Sequence, residues 1–112
     1  MEHNGKYSAL IDNAISLALS EKVYIDEVVK VAKTARNTRL YNAIDLFKKV
    51  VNYYLAKSKR KYYRIAAKYC ETIKEIYKID LINDMDKWKE YIQGIREENR
   101  RRPALIDEFK NL

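Results

Sequence analysis

Between positions 6 and 93 the chain contains neither glycine nor proline. Those residues build most tight reversals, so a stretch this long without them has no ready means of making the closely spaced hairpins of a β-sheet. It can instead form helices joined by short polar links, and successive helices should then lie antiparallel. The apolar spacing agrees. Leu40, Ala43, Ile44, Phe47, Val50, Val51, Tyr54 and Leu55 recur at steps of three and four, as do Tyr62, Ile65, Ala66, Tyr69, Ile73, Ile76 and Tyr77. At 3.6 residues per turn each set forms one stripe, and each stripe must be covered. Residues 38–79 are therefore expected to form a central helical hairpin.

The same spacing organises the flanks. Tyr7, Leu10, Ile11, Ala14, Leu17 and Ala18 mark a first helix ending near residues 20–22, after a disordered start over residues 1–5. Ile25, Val28, Val29, Ala32 and Ala35 mark a shorter second one, capped by Asp26 or started a little earlier. Its β-branched residues would suit a strand, but no turn dipeptide bounds a hairpin there and the spacing is helical. Asn37 or Thr38 can cap the third helix, and the fourth starts after Ser58 and runs to about Lys78. Asn83 and Asp84 offer caps for a fifth helix carrying Met85, Trp88, Tyr91, Ile92 and Ile95. Gly94 weakens that helix or admits a close neighbour. Pro103 suits the first turn of a last helix, where its missing N–H costs nothing, and that helix would dock Leu105, Ile106, Phe109 and Leu112. The expected fold is all-α, a single domain over residues 1–112. It has about six antiparallel helices paired like tetratricopeptide hairpins, in a short α-solenoid or a bundle, with residues 84–112 as the C-terminal helices.

Chemistry is sparse. The one histidine, His3, and the one cysteine, Cys70, stand far apart, so neither a metal site nor an activated thiol is indicated. Asp26/Glu27, Glu71/Glu75, Asp84/Asp86 and Glu97/Glu98 stand among lysines and arginines, as on solvated helix faces. No glycine-rich phosphate loop occurs. The chain is expected to be non-enzymatic and to need no cofactor. A lone cysteine precludes an internal disulfide and, with no recognisable signal peptide, points to the cytoplasm. No apolar run approaches the roughly 18–20 residues of a membrane helix, so no membrane partner is expected.

The formal net charge is +7. Lys57, Lys59, Arg60, Lys61 and Arg64 gather at the link between the third and fourth helices, with Tyr62 and Tyr63 interleaved. Arg100, Arg101 and Arg102 form a second cluster, placed by this reading in the last turn of the fifth helix. Cations facing phosphates and tyrosines stacking on bases would make these ten residues a nucleic-acid site. Helix-end chemistry gives the plainer account, since cations favour the negative end of a helix dipole.

Residues 41–77, YNAIDLFKKVVNYYLAKSKRKYYRIAAKYCETIKEIY, and 88–112, WKEYIQGIREENRRRPALIDEFKNL, carry a resemblance. They combine a Trp with a Tyr-Ile pair, Ile-Arg-x-Glu, Arg-Arg-Pro-Ala-Leu and a final Leu. With the paired Ala66 and Ala67 after Tyr62 or Tyr63, this resembles the C-terminal helical tail of SWIM zinc-finger proteins, over roughly residues 38–112. The family's zinc motif, two cysteines one residue apart and a later Cys-x-His, is absent. The resemblance implies a helical platform for a protein partner, either the C-terminal part of a longer SWIM-type protein whose finger lies upstream or a stand-alone relative; a homodimer is the other partner expected, since a solenoid cut short leaves an uncovered end. Protein interaction is the function expected; nucleic-acid binding is the alternative.

Overall fold

The computed structural model of this chain describes residues 2–20 and 23–112, with side chains from Ala9 onward. His3 and the start expected to be disordered, residues 1–5, have side chains outside the described residues. The described residues form six α-helices: α1 (Glu2–Ala18), α2 (Ile25–Ala35), α3 (Leu40–Leu55), α4 (Arg60–Asp80), α5 (Met85–Glu98) and α6 (Pro103–Glu108). A short 3₁₀ turn, Ile82–Asp84, joins α4 to α5, and the described residues contain no strand. The all-α expectation holds, including the β-branched segment that forms α2. Tertiary contacts divide the chain into two compact units, residues 1–49 and 50–112, and the division falls inside α3.

In the first unit α2 packs along α1. Ile15 and Ala18 of α1 and Val28, Ala32 and Ala35 of α2 are buried, as are Ala43, Ile44, Leu46 and Phe47 of α3. The covered side of α1 matches the expected stripe only in part, with Ala18 buried and Ile11 and Ala14 half-buried. Leu10 and Leu17 are 57% and 66% exposed while Ile15 is buried, so the apolar arc of α1 is wider than its covered part. The C-terminal carbonyls of α1 find a partner across the unit, where Lys49 Nζ of α3 donates to Ala18 O at 2.6 Å and to Ser20 O at 2.7 Å. A cation there meets both the orphan acceptors and the negative end of the helix dipole.

In the second unit α4 is the element against which α5, the 3₁₀ turn and α6 all pack. Its buried side carries Tyr63, Ala66, Cys70, Ile73, Ile76 and Tyr77. This stripe is rotated from the expected one: Tyr62, Ile65 and Tyr69 are only half-buried, and Cys70 takes a central place. Trp88, Ile92 and Ile95 face it from α5, and Leu105 and Phe109 from the C-terminal end. Tyr54, on the last turn of α3, stacks on Tyr62 and on Tyr69, both at 6.1 Å between ring centroids. Those two tyrosines are seven residues apart on α4, about two turns, so the Tyr54 ring lies between them.

The caps differ from expectation. Asp26 lies in the first turn of α2, whose N-cap is Tyr24. Asn37 and Thr38 lie in a turn, their N–H groups donating back to Thr34 O and Ala35 O. Asp84 does sit at the N-cap of α5, with no side-chain cap bond, and Pro103 occupies the start of α6 as expected. With no glycine available to close α3, Ser58 takes the left-handed conformation at φ 54°. That region costs a non-glycine residue about 1–2 kcal/mol.

Gly94 admits no close neighbour: a Cβ added there would meet nothing within 4 Å. Only its helix-weakening remains. Gly94→Ala should therefore stabilise the protein by about 1 kcal/mol, read as a raised urea midpoint at unchanged slope. A lower midpoint would mean that something does fill that space.

Candidate functional site

The basic link between α3 and α4 is built by the short turn that Ser58 closes. Lys57 and Lys59 lie in it, and Arg60, Lys61 and Arg64 open α4. The structure sorts these cations into two kinds. Arg60 Nη1 donates to Asp107 Oδ2 at 2.9 Å and to Glu108 Oε1 at 3.2 Å, and Arg64 Nη2 to Glu108 Oε1 at 3.3 Å. These two arginines thus hold α6 against the start of α4. Lys57, Lys59 and Lys61 form no ion pair among the described residues, and all three are exposed. Lys57 Nζ sits 4.6 Å from the Tyr53 ring centre and 5.3 Å from that of Tyr62; Lys61 Nζ is 4.9 Å from the latter. An ammonium over a ring face is held by the ring quadrupole.

The aromatic members separate in the same way. Tyr62 is half-buried under the two lysines, whereas Tyr63 is 6% exposed and belongs to the core, unavailable for base stacking. Tyr53, exposed beside Lys57, went unnoticed in the sequence because it stands off the apolar stripe of α3. Arg100, Arg101 and Arg102 lie beyond α5, whose last turn holds Arg96 instead, and all three are exposed. The two clusters lie at opposite ends of α6. Arg102 caps that helix, and Asp107, five residues or about 7.5 Å further along, meets Arg60.

A second feature lies where α5 runs back along α4. Cys70 rests against Tyr91, and Lys74 faces Trp88 and Lys89. The Cys70 thiol is pushed up to about 12, mainly by burial, so it stays protonated and unreactive at neutral pH. Burial, and after it the neighbouring sulfur, raises the Tyr91 hydroxyl as well. Among the described residues no three of His, Cys, Asp and Glu gather as metal ligands would. No described helix is long and apolar enough to cross a membrane.

A third feature is the uncovered part of α1. Ile11 and Ala14 face Val31 and Ala35 of α2 across a small cleft, with Lys30 and Thr34 at its edge. Leu10 and Leu17 stand beside it in solvent, and Leu19 and Tyr24 add exposed apolar surface in the α1–α2 link. No family model, curated protein or solved structure matches the chain. The resemblance to the SWIM tail accordingly rests on the sequence pattern alone.

The clamp on α6 makes an acid-side prediction. The hydrogen bond from Arg60, then that from Lys110, holds the Asp107 carboxyl below its ordinary 3.8. The bond from Arg64, partly offset by burial, does the same for Glu108 below 4.5. Groups with depressed values stabilise the fold above the ordinary carboxylate range and lose that contribution as pH falls through their folded values. Melting temperature should therefore drop below about pH 4.5. Asp107→Asn/Glu108→Gln should be less stable at neutral pH and flatter on the acid side. Parallel curves for the two proteins would refute the clamp.

Proposed function

We propose that this chain is a non-enzymatic interaction module whose docking surface is the uncovered arc of α1 with the adjoining α1–α2 cleft. One observation carries the reading: Leu10 and Leu17, stacked two turns apart on one helix, are 57% and 66% exposed. Adjacent exposed leucines beside an apolar cleft suit a partner's apolar helix face, a common mode of recognition between proteins. The α-helical pairs supply a rigid support for it, in keeping with the platform role that the SWIM-tail resemblance implies.

The test is affinity capture with this chain as bait, followed by titration of the purified captured protein against the native chain and Leu10→Lys/Leu17→Lys. Burying a leucine contributes about 1.5–3 kcal/mol, so the double variant should bind at least tenfold more weakly, with its circular dichroism unchanged. Equal affinity for both chains would remove α1 as the surface. Sedimentation of the two chains alone separates a second copy from a foreign partner.

A second reading is favoured by Lys57, Lys59 and Lys61 standing without carboxylate partners beside Tyr53 and Tyr62. These three lysines, with Arg100, Arg101 and Arg102, suit the phosphates of a single strand. Arg60 and Arg64 drop out as primary contacts because they hold α6. Binding of a fluorescent single strand should weaken with salt, and changing the three lysines to alanine should lower the log–log slope by about 2. An unchanged slope would exclude the turn.

A further inference from the structure

We propose, resting on the α1 docking surface, that its occupant is a second copy of this chain, laid antiparallel along the same arc. The seam is Leu10, Asn13, Ala14 and Leu17. A helix turns about 100° per residue, so these four fall within about 100° of arc and form one strip along the helix. Leu10, Asn13 and Leu17 are exposed and Ala14 is half-buried. Ile15 and Ala18, on the adjoining arc, are covered within the chain. Ala14 also lines the cleft against α2, which extends the apolar surface sideways from the seam.

Two features favour a second copy over a foreign partner. The first is symmetry. A two-fold axis between Asn13 and Ala14 exchanges Leu10 with Leu17, so Leu10 of one copy meets Leu17 of the other at both ends of the seam. An isologous interface needs this property, because residue i contacts j while j contacts i. A foreign partner imposes no such symmetry on the face it meets. Asn13 and Ala14 are small, which lets the two helices approach at the centre. An Asn amide is donor and acceptor at once, so a pair of them beside the axis can bond each other and fix the register. The second feature is charge. Copies carrying +7 each repel, so they can meet closely only where neither presents charge. Over residues 9–20 the one charged residue is Asp12, and its carboxylate is answered by Arg39 Nε at 3.2 Å. Lys30, at the edge of the adjoining cleft, is answered by Glu27 at 3.3 Å. In a chain with 35% charged residues, this face asks for no charged partner. Two leucines from each copy make a small contact, so the dimer is a dissociable one.

Sedimentation equilibrium of the full chain, over a concentration series reaching millimolar, should show monomer and dimer in exchange. Leu10→Lys and Leu17→Glu, each alone, should dimerise at least tenfold more weakly. Their circular dichroism should match that of the native chain, since both side chains already stand in solvent. An equimolar mixture of the two variants should regain association. Antiparallel pairing sets the new ammonium of one copy against the new carboxylate of the other and leaves the two remaining leucines together. A parallel pair would oppose neither. The proposal would be overturned by a native chain that stays monomeric to millimolar, by native-like dimers from both variants, or by a mixture no tighter than its components. A monomeric native chain removes only the second copy as occupant. The α1 surface itself stands or falls separately, on the titration of a captured protein against Leu10→Lys/Leu17→Lys.

Discussion

Every helix ends with four carbonyls that its own ladder cannot use, and this chain has almost no glycine with which to wrap them. The ends are met by side chains reaching from elsewhere. Lys49 of α3 closes the end of α1, Arg96 of α5 holds the carbonyl of Phe109 past α6, and Asn99 donates its side-chain N–H to Ile95 O at the end of α5. Lys49 and Arg96 bind segments that sequence alone leaves loosely related. Each unit is thus held by apolar stripes along the helices and by donors at their ends. The described part of the chain buries no polar or charged side chain in its core, so the long cations take up this role at the margins.

This division of labour changes the meaning of the positive charge. The total of +7 is a property of the composition, while the share of it that can meet a partner is a property of the fold. Arg60 and Arg64 are committed to Asp107 and Glu108, and Lys49 to backbone carbonyls. Lys57, Lys59 and Lys61 have no carboxylate partner among the described residues, and Lys57 and Lys61 lie over tyrosine rings instead. Equal charges therefore face different chemistry.

Much of the architecture was legible in the sequence, because periodicity and the missing glycine and proline leave little besides helices. The succession of helices and the place of Pro103 followed from that, whereas two bounds did not: α1 begins at Glu2 and α5 ends at Glu98, before Arg100. Which side of each helix is covered was less legible. α1 is apolar over too wide an arc for spacing to choose between Leu10 with Leu17 and Ile15 with Ala18. On α4 the alternation of tyrosines allowed two neighbouring stripes, and the buried one, through Tyr63 and Cys70, depends on α5 and α6. The basic link was visible as a cluster, but its division was not. Asp107 and Glu108 stand more than forty residues from Arg60 and Arg64, and only the docking of α6 joins them.

Cys70 lies fully covered at the centre of the second unit, its sulfur against Tyr91 and its proton firmly held. An alkylating reagent can reach it only when α5 separates from α4, and it then meets an ordinary thiol. The rate of modification at fixed reagent would therefore measure how often that half of the molecule opens. The single sulfhydryl, inert as chemistry, makes the unit its own stopwatch.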